Sequence, residues 1–107
     1  MDQLKFGQVV LLRFPFTDGI SFIRRPALII RDCGDGDIIV CRITSEIYYS
    51  EFDIEIKDFE KSGLKLPSVI RVHKIATLEK NLVELKMGKI ESERLNKVQP
   101  IVKSLAD

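Results

Sequence analysis

The sequence predicts a mainly β protein: a small, strongly bent antiparallel sheet or partly open barrel with a C-terminal helix. Three observations carry this. Short runs rich in Val, Ile and Leu, such as Gln8 to Phe14 and Asp37 to Thr44, are separated by turn chemistry. Apolar residues recur with period two at Phe52, Ile54 and Ile56 and again from Ser68 to Lys74. After Glu91 the period becomes helical, with Leu95, Val98, Val102 and Leu105 on one stripe.

Gly7 introduces the first strand, Gln8 to Phe14, whose continuous apolar character implies burial on both faces. From Pro15 to Arg24 the sequence predicts a connection longer than a hairpin needs, with Thr17-Asp18-Gly19 as its turn signal. Phe16 and Phe22 in it are either packed down or held ready to stack on something flat. At Arg24-Arg25-Pro26 the proline keeps Arg25 extended, and the chain runs on as a strand from Ala27 to Asp32. Two guanidiniums at the mouth of a core strand form a stiff fork suited to phosphate or carboxylate. A lone Arg-Pro more often marks a solvated strand start, so this pair needs support from elsewhere in the chain.

Gly34-Asp35-Gly36 is hairpin chemistry and returns the chain as a third strand, Asp37 to Thr44. Alternation puts Ile39, Cys41 and Ile43 on one face and Ile38, Val40, Arg42 and Thr44 on the other, making Cys41 a core thiol. The antiparallel return also brings Arg25 beside Thr44. Ser45 to Ser50 is a loop bearing Tyr48 and Tyr49, followed by a half-exposed strand whose Asp53, Glu55 and Lys57 face solvent. Asp58 to Gly63 reads as a single helical turn stopped by glycine. Pro67 opens a strand from Ser68 to Lys74, with Val69, Arg71 and His73 on one face. A short connection at Ala76-Thr77-Leu78 leads to the last strand, Leu82 to Ile90. Pro100 falls inside the helical stripe, where the missing donor predicts a kink or a fresh start.

At 107 residues the chain is expected to form one domain. Its 45% hydrophobic and 31% charged composition is that of an ordinary globular protein, and a net charge of +1 means that any polyanion site must be local. One histidine and two cysteines cannot make a zinc site without carboxylates, so no metal is expected. The thiols are expected to be reduced, and the N-terminal residues lack the long apolar run of a secretion signal. No apolar run is long enough to span a bilayer, so no membrane association and a cytoplasmic location are expected.

Five blocks resemble the MazF/PemK family of mRNA interferase toxins: Gly7-Gln8-Val9-Val10, Phe14-Pro15-Phe16-Thr17-Asp18, Arg25-Pro26-Ala27-Leu28-Ile29-Ile30, Cys41-Arg42-Ile43-Thr44-Ser45, and Ser68 to Leu78. Any one is weak; five in order and spacing are strong. The resemblance implies an SH3-like barrel of the type shared with gyrase-poisoning toxins, a homodimer, and cleavage of single-stranded RNA without a metal or other cofactor. It also implies a cognate antitoxin whose flexible tail lies in the RNA groove. By matching motif, Arg25 and Thr44 fall at the family's reaction centre with Ser45 beside them, and Arg71 matches a position that is arginine in part of the family. Where many relatives carry a carboxylate, this chain has His73.

Such cleavage requires attack of a ribose 2′-hydroxyl on the adjacent phosphorus, with stabilisation of extra negative charge and two proton transfers. Arg25 and Arg71 suit the charge, Thr44 supplies a hydroxyl donor, and His73 is the side chain whose ordinary range suits proton transfer near neutrality. The RNA-binding candidates are Thr17, Arg24, Arg42, Ser45, Tyr48 and Lys74. Tyr48, Tyr49 and Phe22 either stack unpaired bases or pack in loops and a dimer interface. The histidine keeps a second reading open, a non-catalytic binding module on the same barrel that inhibits gyrase or only binds RNA.

Overall fold

A computed structural model describes residues 2–15 and 18–107. The elements run β1 (Gln8–Pro15), β2 (Phe22–Asp32), β3 (Asp37–Thr44), β4 (Asp53–Ile56), β5 (Ser68–Glu79), a single 3-10 turn (Lys80–Leu82), β6 (Val83–Lys89) and α1 (Ser92–Ser104). All strand pairs are antiparallel, in the order β4-β5-β3-β2-β1-β6. The mainly β architecture with a C-terminal helix is therefore present.

Alternation along the strands gives the sheet two apolar faces. Val9, Leu28, Cys41, Ile43, Ile54, Ile70 and Val72 are buried on one, together with Ile90 and with Val98 of α1. Val10, Leu12, Ala27, Ile29, Ile38 and Val40 are buried on the other, under Leu4 and Val83. Extra residues shift the register in β1–β6, β2–β3 and β3–β5. Such bulges bend strands and re-aim side chains. The bent sheet brings β6 against the turn that follows β4, where the Ser62 hydroxyl donates to the Lys89 carbonyl at 3.1 Å. That turn is the single turn ended by glycine that the sequence predicts, with no longer helix built on it. It is closed by bonds from the Leu64 amide to the Phe59 carbonyl (2.9 Å) and from the Gly63 amide to the Glu60 carbonyl (3.0 Å), with Gly63 at φ +81°. Glycine is needed there twice over, since a Cβ would also run into the Met87 carbonyl.

Three expectations need correction. The Pro15 to Arg24 connection is much shorter, because β1 and β2 pair out to Pro15 opposite Phe22. The Asp18 carboxylate shapes the turn by accepting from the Ile20 and Ser21 amides at 2.9 and 3.0 Å. Phe22 to Pro26 pairs with β1 alone, so the proline interrupts no two-sided ladder. Ala76, Thr77 and Leu78 are no connection but strand, since β5 continues to Glu79. The helix also does not start afresh at Pro100 but continues through it to Ser104. Pro100 and Asn96, the residue whose carbonyl loses its donor, are both exposed, so that carbonyl is open to solvent rather than buried without a partner.

Asp32 at the end of β2 is a buried anchor. Its carboxylate accepts from Lys80 Nζ at 2.6 Å, the Leu4 amide at 2.9 Å and the Gly34 amide at 3.1 Å. The Lys80 bond first and the Leu4 amide second outweigh burial and hold its pKa down to about 2. A carboxyl depressed below its unfolded value of about 4 stabilises the fold above that value, and the contribution is lost as the pH falls towards 2. Thermal melts are therefore expected to show a steeper fall in Tm between about pH 4 and 2 in the wild type than in Asp32→Asn. Equal acid slopes would contradict this role.

Candidate nucleic-acid interface

Strand register assembles the site. Opposed residues of an antiparallel pair point to the same side of the sheet. Ala27 of β2 faces Arg42 of β3, Arg42 faces Arg71 of β5, and Arg71 faces Asp53 of β4. Alternation adds Arg25, two residues before Ala27, and Thr44, two residues after Arg42. One face thus carries Arg25, Arg42, Thr44 and Arg71 across three strands, beyond the edge of the apolar cluster that includes Ala27 and Val40. The register that opposes Ala27 to Arg42 sets Arg25 across from Thr44 if carried two positions on. The ladder itself stops at Ala27, and Thr44 pairs with Val69 of β5.

The β3–β5 bulge shapes what lies beside this face. Cys41 opposes Ile75 and the next residue, Arg42, opposes Arg71, leaving Val72, His73 and Lys74 unmatched on β3. Lys74 is thereby brought to a cleft of about 460 Å³ that Arg25 and Arg42 also line, over Phe14, Ile23, Pro26 and Ile75. None of these three cations has an ion-pair partner among the described residues. Arg42 is half-buried, and its Nε is buried with no hydrogen-bond partner.

Arg71 is held differently. Its Nε donates to Asp53 Oδ1 at 2.9 Å, and its guanidinium lies 3.6 Å from the centre of the Tyr48 ring. The other carboxylate oxygen of Asp53 accepts from the Ser50 amide (2.8 Å) and hydroxyl (2.7 Å). The side chains of Arg71 and Asp53 are 13% and 2% exposed, so the pair is shielded from solvent screening. Burial pushes the Asp53 carboxyl up, but the Ser50 bonds together with Arg71 outweigh it and hold its pKa below the ordinary value. The Tyr48 ring therefore has one face already covered. On the outward face of β4, Glu55 and the following Lys57 are exposed as expected, whereas Asp53 is the ion-pair partner of Arg71. Consecutive strands usually pair, and that rule was the signal available for it.

The remaining candidates fall as follows. Thr44 is half-buried, and its hydroxyl oxygen accepts the Glu46 amide at 3.1 Å, which leaves its own proton free to donate. Ser45 is exposed at the end of β3. The His73 ring packs on Phe52 at 4.7 Å between centroids, and Nδ1 is buried without a partner. Arg24 points away from Arg25, as neighbours in a strand must, and pairs with Glu84 of β6 through a 3.0 Å bond from a terminal nitrogen. The Arg13 and Arg24 guanidiniums lie 4.0 and 4.8 Å from the centre of the Phe22 ring. Thr17 and Phe16 lie outside the described residues. Tyr49 is 91% exposed. Cys41 is not a nucleophile here, since burial pushes its thiol up to about 12. Among the described residues no three His, Cys, Asp or Glu side chains are grouped to hold a metal ion, and no helix is long and apolar enough to cross a membrane.

A bent antiparallel sheet with a C-terminal helix is a fold shared with solved MazF structures. Residues 5–105 match the PemK-like, MazF-like toxins of type II toxin-antitoxin systems, and the chain belongs to that family. Similar solved structures include a MazE–MazF crystal structure from Deinococcus radiodurans, at 20% identity and TM-score 0.82 over 98% of this chain and 97% of that one. An endoribonuclease from a mycobacterial species matches at 16% identity and TM-score 0.77, over 99% and 93%. A mycobacterial endoribonuclease in complex with its cognate antitoxin matches at 16% and 0.73, over 96% and 94%. No curated protein matches the chain.

Proposed function

We propose that this chain is the toxin of a type II toxin-antitoxin pair and acts as an endoribonuclease on single-stranded RNA. The observation that carries the reading is the register that sets Arg25, Arg42, Thr44 and Arg71 on one face of the sheet. In the proposed reaction the 2′-oxygen bonds to phosphorus, the bond from phosphorus to the 5′-oxygen breaks, and a 2′,3′-cyclic phosphate remains. Arg25 and Arg71 take up the charge that builds on the non-bridging oxygens, and fixed donors of this kind need no reorganisation as it develops. Thr44 donates its free proton to the same oxygens, and Ser45 holds the neighbouring phosphate. His73 accepts the 2′-hydroxyl proton, and Arg25 delivers a proton to the departing 5′-oxygen.

The charge is supplied by arginines fixed in a sheet, so the reaction proceeds without a metal ion. The family assignment and the antitoxin complex of the mycobacterial neighbour support a cognate antitoxin as partner, and a homodimer working in the cytoplasm is part of the same proposal. Purified protein is expected to cut an unstructured RNA in excess chelator and to leave 2′,3′-cyclic phosphate ends, read by gel and end-group analysis. Intact RNA after long incubation at high protein concentration would refute the proposal and leave a toxin that only binds.

A further inference from the structure

The cleft beside the proposed reaction centre has a one-sided chemistry. Every polar side chain that lines it, Arg25, Arg42 and Lys74, is a hydrogen-bond donor with no acceptor. The rest of the lining is apolar, with Ile23, Pro26 and Ile75 among it. Its volume of about 460 Å³ lies in the roughly 300–1,000 Å³ range of small-ligand pockets. Arg42 is half-buried, lines the cleft and has no ion-pair partner among the described residues, so an acceptor entering the cleft meets a guanidinium that is not already engaged by a carboxylate.

We propose that this cleft is a base-reading subsite that selects keto over amino nucleobases at a nucleotide beside the scissile phosphate. The inference rests on the RNA-binding reading above. Guanine and uracil present a carbonyl oxygen where adenine and cytosine present an exocyclic N–H₂. A pocket whose side chains are all donors bonds to the oxygen and sets donor against donor at the amino group, so adenine or cytosine loses that contact. The base ring lies on the apolar lining, and Arg25 and Lys74 at the margin hold the phosphates on either side. Arg42 is then the specificity-determining residue, and Arg71, already engaged by Asp53 and Tyr48, takes no part in base choice.

The probes are nucleoside 5′-monophosphates titrated into the full chain and followed by NMR. Inosine and adenosine monophosphates differ in keto against amino character at one purine position, and uridine and cytidine monophosphates at one pyrimidine position. The keto member of each pair is expected to bind at least about fivefold more tightly, with shifts centred on the amides of Ala27, Ile75 and Ala76. Arg42→Gln, which offers an acceptor as well as donors, is expected to bring both ratios close to one. Equal or reversed affinities in the wild type, or shifts centred elsewhere, overturn the subsite. A preference that survives in Arg42→Gln overturns the role of Arg42, and if that variant fails to fold the wild-type pairs decide alone. Keto-selective binding with RNA left intact would remove the nuclease reading and keep the subsite. Cutting with no keto preference at either flanking position would do the reverse.

Discussion

Arg25→Ala is expected to slow RNA cutting by about 10²- to 10³-fold, the usual cost of deleting one fixed donor to a developing oxyanion, while the fold survives. Arg25 is exposed, has no ion-pair partner among the described residues, and follows the same alternation as the buried Ala27 two residues on. Its removal opens no core cavity. The strand fixes its backbone, and Pro26 limits the conformations of the residue before it, so the guanidinium is held in place before substrate arrives. Arg25→Lys keeps the charge and loses the planar fork, and should recover only part of the rate. The comparison is made with initial rates on one defined RNA, with thermal melts of each variant as the control for folding. A rate for Arg25→Ala within tenfold of wild type would show that charge is stabilised by some other group.

The second large effect concerns a residue that touches no substrate. Asp53→Asn is nearly isosteric and still accepts a hydrogen bond from Arg71 Nε, but it cancels the charge that anchors the guanidinium. Cutting should fall about tenfold or more, in line with the larger value of hydrogen bonds to charged groups, whereas Arg71→Ala should cost about 10²-fold. The informative variant is the double one. If Asp53 acts by positioning Arg71, then Asp53→Asn adds nothing once Arg71 is alanine, because residues that act as a unit are not additive. Multiplying effects would mean that Asp53 supports the fold generally. The Arg71 Nε–H resonance gives a reading independent of activity, expected to be protected from exchange in the wild type and lost in Asp53→Asn.

The parts of this site that local sequence could reveal were those set by short-range rules. Gly34-Asp35-Gly36 dictates a hairpin, but the register it starts, with Asp32 opposite Ile38 and Arg31 opposite Ile39, would oppose Arg42 to Leu28; the extra residue Ile30 shifts it, and that bulge puts Arg25 and Arg42 on one face. Alternation likewise identified Cys41 as a core thiol and the apolar face of β3. What was not legible depended on pairing at a distance. Val72-His73-Lys74 continues a plain period-two pattern, and only the partner strand shows that these residues are extra. The pattern likewise does not announce the packing of the His73 ring on Phe52. Asp53 reads as one more surface acid until β4 is laid against β5. Pro26 and Pro100 mark ends by local rules, yet one-sided pairing tolerates the first and solvent tolerates the second.

The face itself can be tested with an RNA carrying 2′-O-methyl groups, which blocks the attacking oxygen and lets the strand bind unbroken. Bound at saturation, it should move the side-chain signals of Arg25, Arg42 and Arg71 together and leave those of Arg13 and Arg24 unmoved. Perturbation centred on Arg13 and Arg24, with Arg25 and Arg71 unchanged, would place the strand on the opposite side of the sheet and contradict the proposed site.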